Sequence, residues 1–130
     1  MYDTIILAGR IIVGGYYLYN SINHFTHVAM MAHHAGSRGV PAPKLAILAS
    51  GTLLFIAGAS IFLGWRPEIG VIAVVLFLVP VTLTMHNFWI EKDPMQKMGQ
   101  RVNFLKNVAL LGSTLMFLAI PRPWPHSVNF

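Results

Sequence analysis

Four long apolar runs organise the chain: Thr4 to Ser21, Leu45 to Trp65, Ile69 to Ile90 and Val102 to Ile120. Each approaches or reaches the roughly 20 residues that a helix needs to cross the hydrocarbon core of a bilayer. The runs predict four helices, over residues 4–25, 44–64, 68–91 and 101–120. Asp3 and Thr4 form an N-cap pair for the first. The stretch FTHVAMMAHHAG keeps a helical pattern beyond that run, which predicts a helix extension or a short interfacial helix over 26–35, stopped by Gly36. Pro41 and Pro43 enforce extended backbone before the second helix. Gly64 and Pro67 make the next link so tight that the helices it joins must be antiparallel neighbours. Pro94 closes the third helix, and the tail PRPWPHSVNF is expected to be extended.

Charge is scarce between these runs. Hydrophobic residues make up 55% of the 130 and charged residues 10%, with a mean hydropathy of +0.62. A soluble domain carries about a quarter of its residues as charges, so lipid must cover much of this surface. The expected architecture is a single all-α domain over 1–130: an antiparallel bundle of four transmembrane helices in a multi-pass integral membrane protein. The net charge of +5 belongs to the connections, where anionic headgroups wait. No basic stripe interleaved with aromatics occurs, so nucleic acid is not an expected partner. The chain has no cysteine, which excludes disulfides, thiolate metal sites and CxxC couples. With Asp3 where a signal peptide would be basic, the first run reads as a retained helix. Arg38, Lys44, Lys92, Lys97, Arg101 and Lys106 sit in or beside the 26–44 and 91–106 connections, against Arg66 and Arg122 on the other side. The positive-inside rule puts those connections in the cytoplasm and both termini outside. Trp65 and Trp124 then mark one interface and Trp89 the other.

The polar positions inside the runs are ordered. At about 100° per residue, Arg10, Tyr17, His24 and His27 share a narrow wedge of the first helix, with Asn20 beside it. Such a stripe is costly in lipid, so it should face the bundle interior or a wet cavity. The third helix carries His86 and Asn87 in its last turns, with Thr82 one turn earlier. Odd-numbered helices run the same way, so His24 and His86 lie at similar depth. Pro80 removes a backbone hydrogen bond and predicts a kink. In the fourth helix, Asn103, Lys106 and Asn107 share a face with Thr114. The second helix reads as packing: Ser50, Gly51, Ala57, Gly58, Ala59 and Gly64 allow close helix contact.

The segments GRIIVGGYYLYNSINHF, GVPAPKLAILASGTLLFIAGASIFLG, FLVPVTLTMHNFW and NFLKNVALLGSTLMF resemble the DoxX family of small four-helix membrane proteins. The resemblance covers nearly the whole chain. It implies likeness to a membrane subunit of thiosulfate:quinone oxidoreductase, and to proteins associated with membrane redox or oxidative-stress assemblies. Many members carry a glutamate in the second helix near the position of Leu53 to Phe55. Here that region is apolar, so a role depending on that acid does not transfer.

A quinone or similar lipophilic ligand is one expectation. His24, His86, Asn20 and Asn87 would donate hydrogen bonds to its carbonyls, Tyr17, Phe88 and Trp89 would form walls, and Lys106 would stabilise charge on a reduced ring; His27 completes the candidate set. The alternative is that these groups bond only one another and set helix register. Haem between facing histidines is a lesser option, and three-residue spacing of His24 and His27 is a weak metal signal. No dedicated metal site is expected. His33 and His34 read as surface residues and His126 as inert. Arg10 would pair with Glu68 or Asp3, or snorkel to headgroups, with snorkelling favoured; Glu91 and Asp93 would cap their connection. No nucleophile–base arrangement or phosphate loop occurs, and four helices without a broken pair do not suit a transporter. The expected role is a small subunit of a membrane redox assembly. The competing ones are a non-catalytic subunit stabilising a larger complex, and a ligand-binding homo-oligomer. The segments 26–43 and 121–130 are candidate docking surfaces.

Overall fold

The computed structural model describes residues 1–128. Five helices appear in the order α1 (Tyr2–Thr26), α2 (Val28–Ser37), α3 (Pro43–Leu63), α4 (Pro67–Met85) and α5 (Pro94–Met116). Single 3-10 turns follow α4 at Phe88–Ile90 and α5 at Phe117–Ala119, and there is no strand among the described residues. Four of these segments are long and apolar enough to span a membrane. The fifth, α2, is the short helix expected after the first run, shifted two residues along.

Two boundaries differ from expectation, for local reasons. The third span leaves helical geometry at His86 (φ −122°, ψ 30°) and resumes as the turn at Phe88. Apolarity continues to Ile90, but apolarity alone does not hold backbone angles. The last span begins at Pro94 rather than near 101. Asp93 is its N-cap, accepting from the Gln96 N–H at 3.1 Å, and Pro94 takes the first helical position, where no N–H is needed. Pro94 therefore opens a helix; it does not close one.

The helices pack as a row. α1 lies on α3, α3 on α4, and α4 on α5, while α2 folds back onto α3. In lipid the apolar effect does not drive helices together, so close packing must. The α1–α3 seam supplies it. A Cβ on Gly14 would sit 2.6 Å from the Phe62 amide nitrogen, and one on Gly58 would sit 2.8 Å from that of Leu18. Farther along, the Ser21 hydroxyl donates to the Gly51 carbonyl at 2.8 Å. Beside this seam the core gathers Tyr17, Leu54, Ile61, Val74, Leu78 and Trp124.

The end holding the N-terminus is closed by the tail segment 121–128. Arg10, only 6% exposed, donates through Nη2 to the His126 carbonyl at 2.5 Å. The Val128 N–H donates to the Leu63 carbonyl at 2.9 Å, and Trp124 is buried edge-on against Phe117. Gly64, left-handed at φ 68°, ends α3 and leaves space that the Arg10 guanidinium occupies. Arg10 thus neither pairs with Glu68 or Asp3 nor snorkels: the α3 C-terminus and the tail carbonyl receive it, while Glu68 binds Arg122 at 2.7 Å. His126, read as inert, supplies that carbonyl. The tail is folded onto the bundle and not extended; Asn129 and Phe130, part of that candidate docking surface, lie outside the described residues.

Candidate functional site

The opposite end is built differently. There α1 finishes, α2 crosses, α4 breaks and α5 begins. Among the long helices α1 makes its close backbone approaches to α3, which leaves a space between α1 and the α4–α5 pair. Side chains from all five helices line a chamber of about 740 Å3 in this space. That is within the range of about 300–1,000 Å3 typical of small-molecule sites. A second hollow of about 730 Å3 lies between α2 and the start of α3. It is shallow, and its polar lining is His33 and Lys44. The chamber is the stronger candidate because polar groups from separate elements converge on it.

Tyr17, Asn20, His24, His86 and Lys106 all line the chamber. Tyr17 is fully buried, and its hydroxyl, beside Thr114 but outside bonding geometry, has no hydrogen-bond partner. Asn20 is half-buried and donates through Nδ2 to the Tyr16 carbonyl at 2.8 Å. The Nδ1 of His24 lies 2.8 Å from the Asn20 carbonyl oxygen, and the ring stands edge-on to Phe77 at 5.9 Å between centroids. The Nδ1 of His86 lies 2.8 Å from Oε1 of Gln100 on α5. Because α4 stops at Met85, His86 rides on the break and reaches across to α5. Lys106 remains exposed, and Asn107, its buried neighbour, also faces the chamber.

The other four expected residues, His27, Asn87, Phe88 and Trp89, are not brought in. His27 follows the last residue of α1 with φ −124°, leaves the stripe, and bonds locally to Asn23 and Thr26. Asn87 is held outside by the Arg38 guanidinium, which also pairs with Glu91. Trp89 packs with Phe88 and Phe104 and is 53% exposed. Among the described residues no three His, Asp or Glu side chains gather as a metal site would require.

Three contributors escaped the sequence reading. His34, read as a surface residue, lines the chamber from α2. Gln100 orients His86; it shares a helical face with Asn103 and Asn107, a signal that was there once α5 is extended to Pro94. Arg38 ties α2 to the segment after α4 across 53 residues of chain. No local pattern announces such a contact.

The model of the DoxX family matches residues 5–87. The chain belongs to the DoxX family. The DoxX match takes in most of α1, all of α2 to α4 and the chamber histidines His24, His34 and His86, and ends at Asn87, one residue past His86. Lys106 and Asn107 lie beyond it. No curated protein and no solved structure matches the chain. Family membership and four apolar spans make this an integral membrane protein.

Proposed function

We propose that this DoxX protein is a small subunit of a membrane redox assembly that holds a quinone-type ligand in the histidine chamber. The observation that carries the reading is the convergence of His24 and His86, from different elements, on one space large enough for such a ring. Each ring is oriented by a hydrogen bond at Nδ1 and keeps Nε2 free of any protein partner. The His86–Gln100 bond does tie the end of α4 to α5, but the two histidines do not bond each other, and His24 makes no side-chain bond to another helix. The apolar walls, among them Phe77, Leu54 and Pro80, suit a lipophilic molecule. The space between α1 and the α4–α5 pair supports entry from the lipid.

The basic residues Arg38, Lys44, Lys92, Lys97 and Arg101 cluster at the chamber end, which supports a cytoplasmic chamber and external termini in a prokaryotic plasma membrane. The partners are other membrane subunits or further copies of the chain. The test is extraction of quinones from purified protein, comparing wild type with His24→Ala and His86→Ala. Quinone present in the wild type and reduced at least about fivefold in both variants supports the reading; equal amounts in all three defeat it. A second reading, haem held between the same Nε2 atoms, is favoured by those two free lone pairs. A Soret band in the purified protein would establish it, and a flat visible spectrum would remove it. Co-purification of a larger complex with neither ligand would instead mark a purely structural subunit.

A further inference from the structure

We infer that the chamber selects the reduced, hydroxyl-bearing form of its ligand over the carbonyl form. This rests on the chamber being a quinone-type site. A backbone carbonyl can only accept, so the contact of His24 Nδ1 with the Asn20 oxygen at 2.8 Å places the ring proton on Nδ1. A neutral imidazole has one such proton, and Nε2 is therefore a bare acceptor. His86 repeats the arrangement, with Nδ1 donating to Gln100 Oε1 at 2.8 Å. Asn20 also spends one of its two Nδ2 hydrogens on the Tyr16 carbonyl, leaving its Oδ1 as a third acceptor beside one remaining N–H.

The histidine wall of the chamber is thus acceptor-rich, which reverses the expectation that these rings donate. A quinone carbonyl facing His24 or His86 sets lone pair against lone pair. A hydroquinone hydroxyl donates to Nε2, and its oxygen still accepts from donors facing the same space, Lys106 and Asn107 on α5 and the partnerless Tyr17 hydroxyl on α1. Sites built to bond a hydroxyl reject analogues that lack it far more strongly than apolar pockets reject a change of shape, because the buried partner is left unpaired.

The experiment uses the full chain in lipid nanodiscs and three probes: decyl-benzoquinone, its hydroquinone prepared and kept under nitrogen with excess dithionite, and the dimethyl ether of that hydroquinone. Equilibrium dialysis measures each. Hydroquinone should bind at least about tenfold more tightly than quinone or ether, and the preference should fall below about twofold in His24→Ala/His86→Ala. The ether retains ring and tail but has no hydroxyl, so the ligand series tests the inference even where a variant fails to fold. Equal or tighter binding of the quinone, or an unchanged preference in the folded variant, overturns the selectivity while leaving the chamber a ligand site. Absence of binding by all three overturns both readings.

Discussion

At the end of the bundle holding the N-terminus, a buried arginine is covered by the tail segment around His126. At the other end, His24 and His86, with His34, line a chamber that the chain leaves partly open. Both ends place strongly polar side chains at membrane depth, and they solve that problem differently. Arg10 has the His126 carbonyl and the α3 C-terminus, yet its Nε and Nη1, with the indole nitrogen of Trp124, find no hydrogen-bond partner. His24 and His86 each satisfy one nitrogen and leave the other without a protein partner. Being enclosed and being satisfied are therefore separate properties. The terminal end is enclosed by a structural latch; the histidine end is oriented but unfilled, as a binding site must be.

The seam common to both ends is the place to break the comparison altogether. Gly14→Ala puts a Cβ within 2.6 Å of the Phe62 backbone, so α1 and α3 must separate at a cost of about 3 kcal/mol. Thermal stability in mild detergent should drop sharply and ligand retention with it. Gly15→Ala, which meets nothing within 4 Å, is the matched control and should be neutral or slightly stabilising. Similar melting curves for the two variants would refute a tight seam.

Arg10→Ala should act on one end alone. Losing a charged hydrogen bond costs about 2 kcal/mol. The tail from Pro121 should become protease-sensitive, while quinone content per folded protein stays at the wild-type level. A tail no more sensitive than before would show that Trp124 holds it unaided. Arg38→Ala is the mirror experiment at the histidine end. It removes the link from α2 to Glu91 and Asn87, with an expected loss of about 1.5 kcal/mol. Faster hydrogen exchange should be confined to α2 and residues 86–91; a change spread into the tail would contradict independent ends. The smallest effect belongs to Arg122→Ala. Its ion pair with Glu68 is largely exposed, at 59% and 36% for the two side chains, and exposed pairs contribute about 0–1 kcal/mol. A melting shift as large as that of Arg10→Ala would mean that this pair, too, is part of the latch.

Much of this plan was legible in the residue pattern. Length and apolarity account for the four spans, and the 100° advance put Arg10, Tyr17 and His24 on an inward stripe where the structure also has them buried. The same geometry failed for His27, one residue beyond the end of α1. It also failed for Asn87 and Trp89, past the break in α4. Angular position is meaningful only while the helix continues, and a helix ends where tertiary partners draw the backbone away. Pro94 shows the same ambiguity: it suits a helix start as well as a stop, and Asp93 before it decides for the start.

The amino-acid pattern by itself determined that this is a membrane bundle of four long spans with a polar stripe on α1, because lipid demands long apolar helices and penalises polar groups outside the interior. Tertiary structure alone decided which polar groups meet, which ring nitrogens are already occupied, and which end closes. Those outcomes depend on contacts between residues as distant as Arg10 and His126, or Arg38 and Glu91. Local periodicity holds no information about such pairs, since the energy that selects them exists only once the helices are side by side.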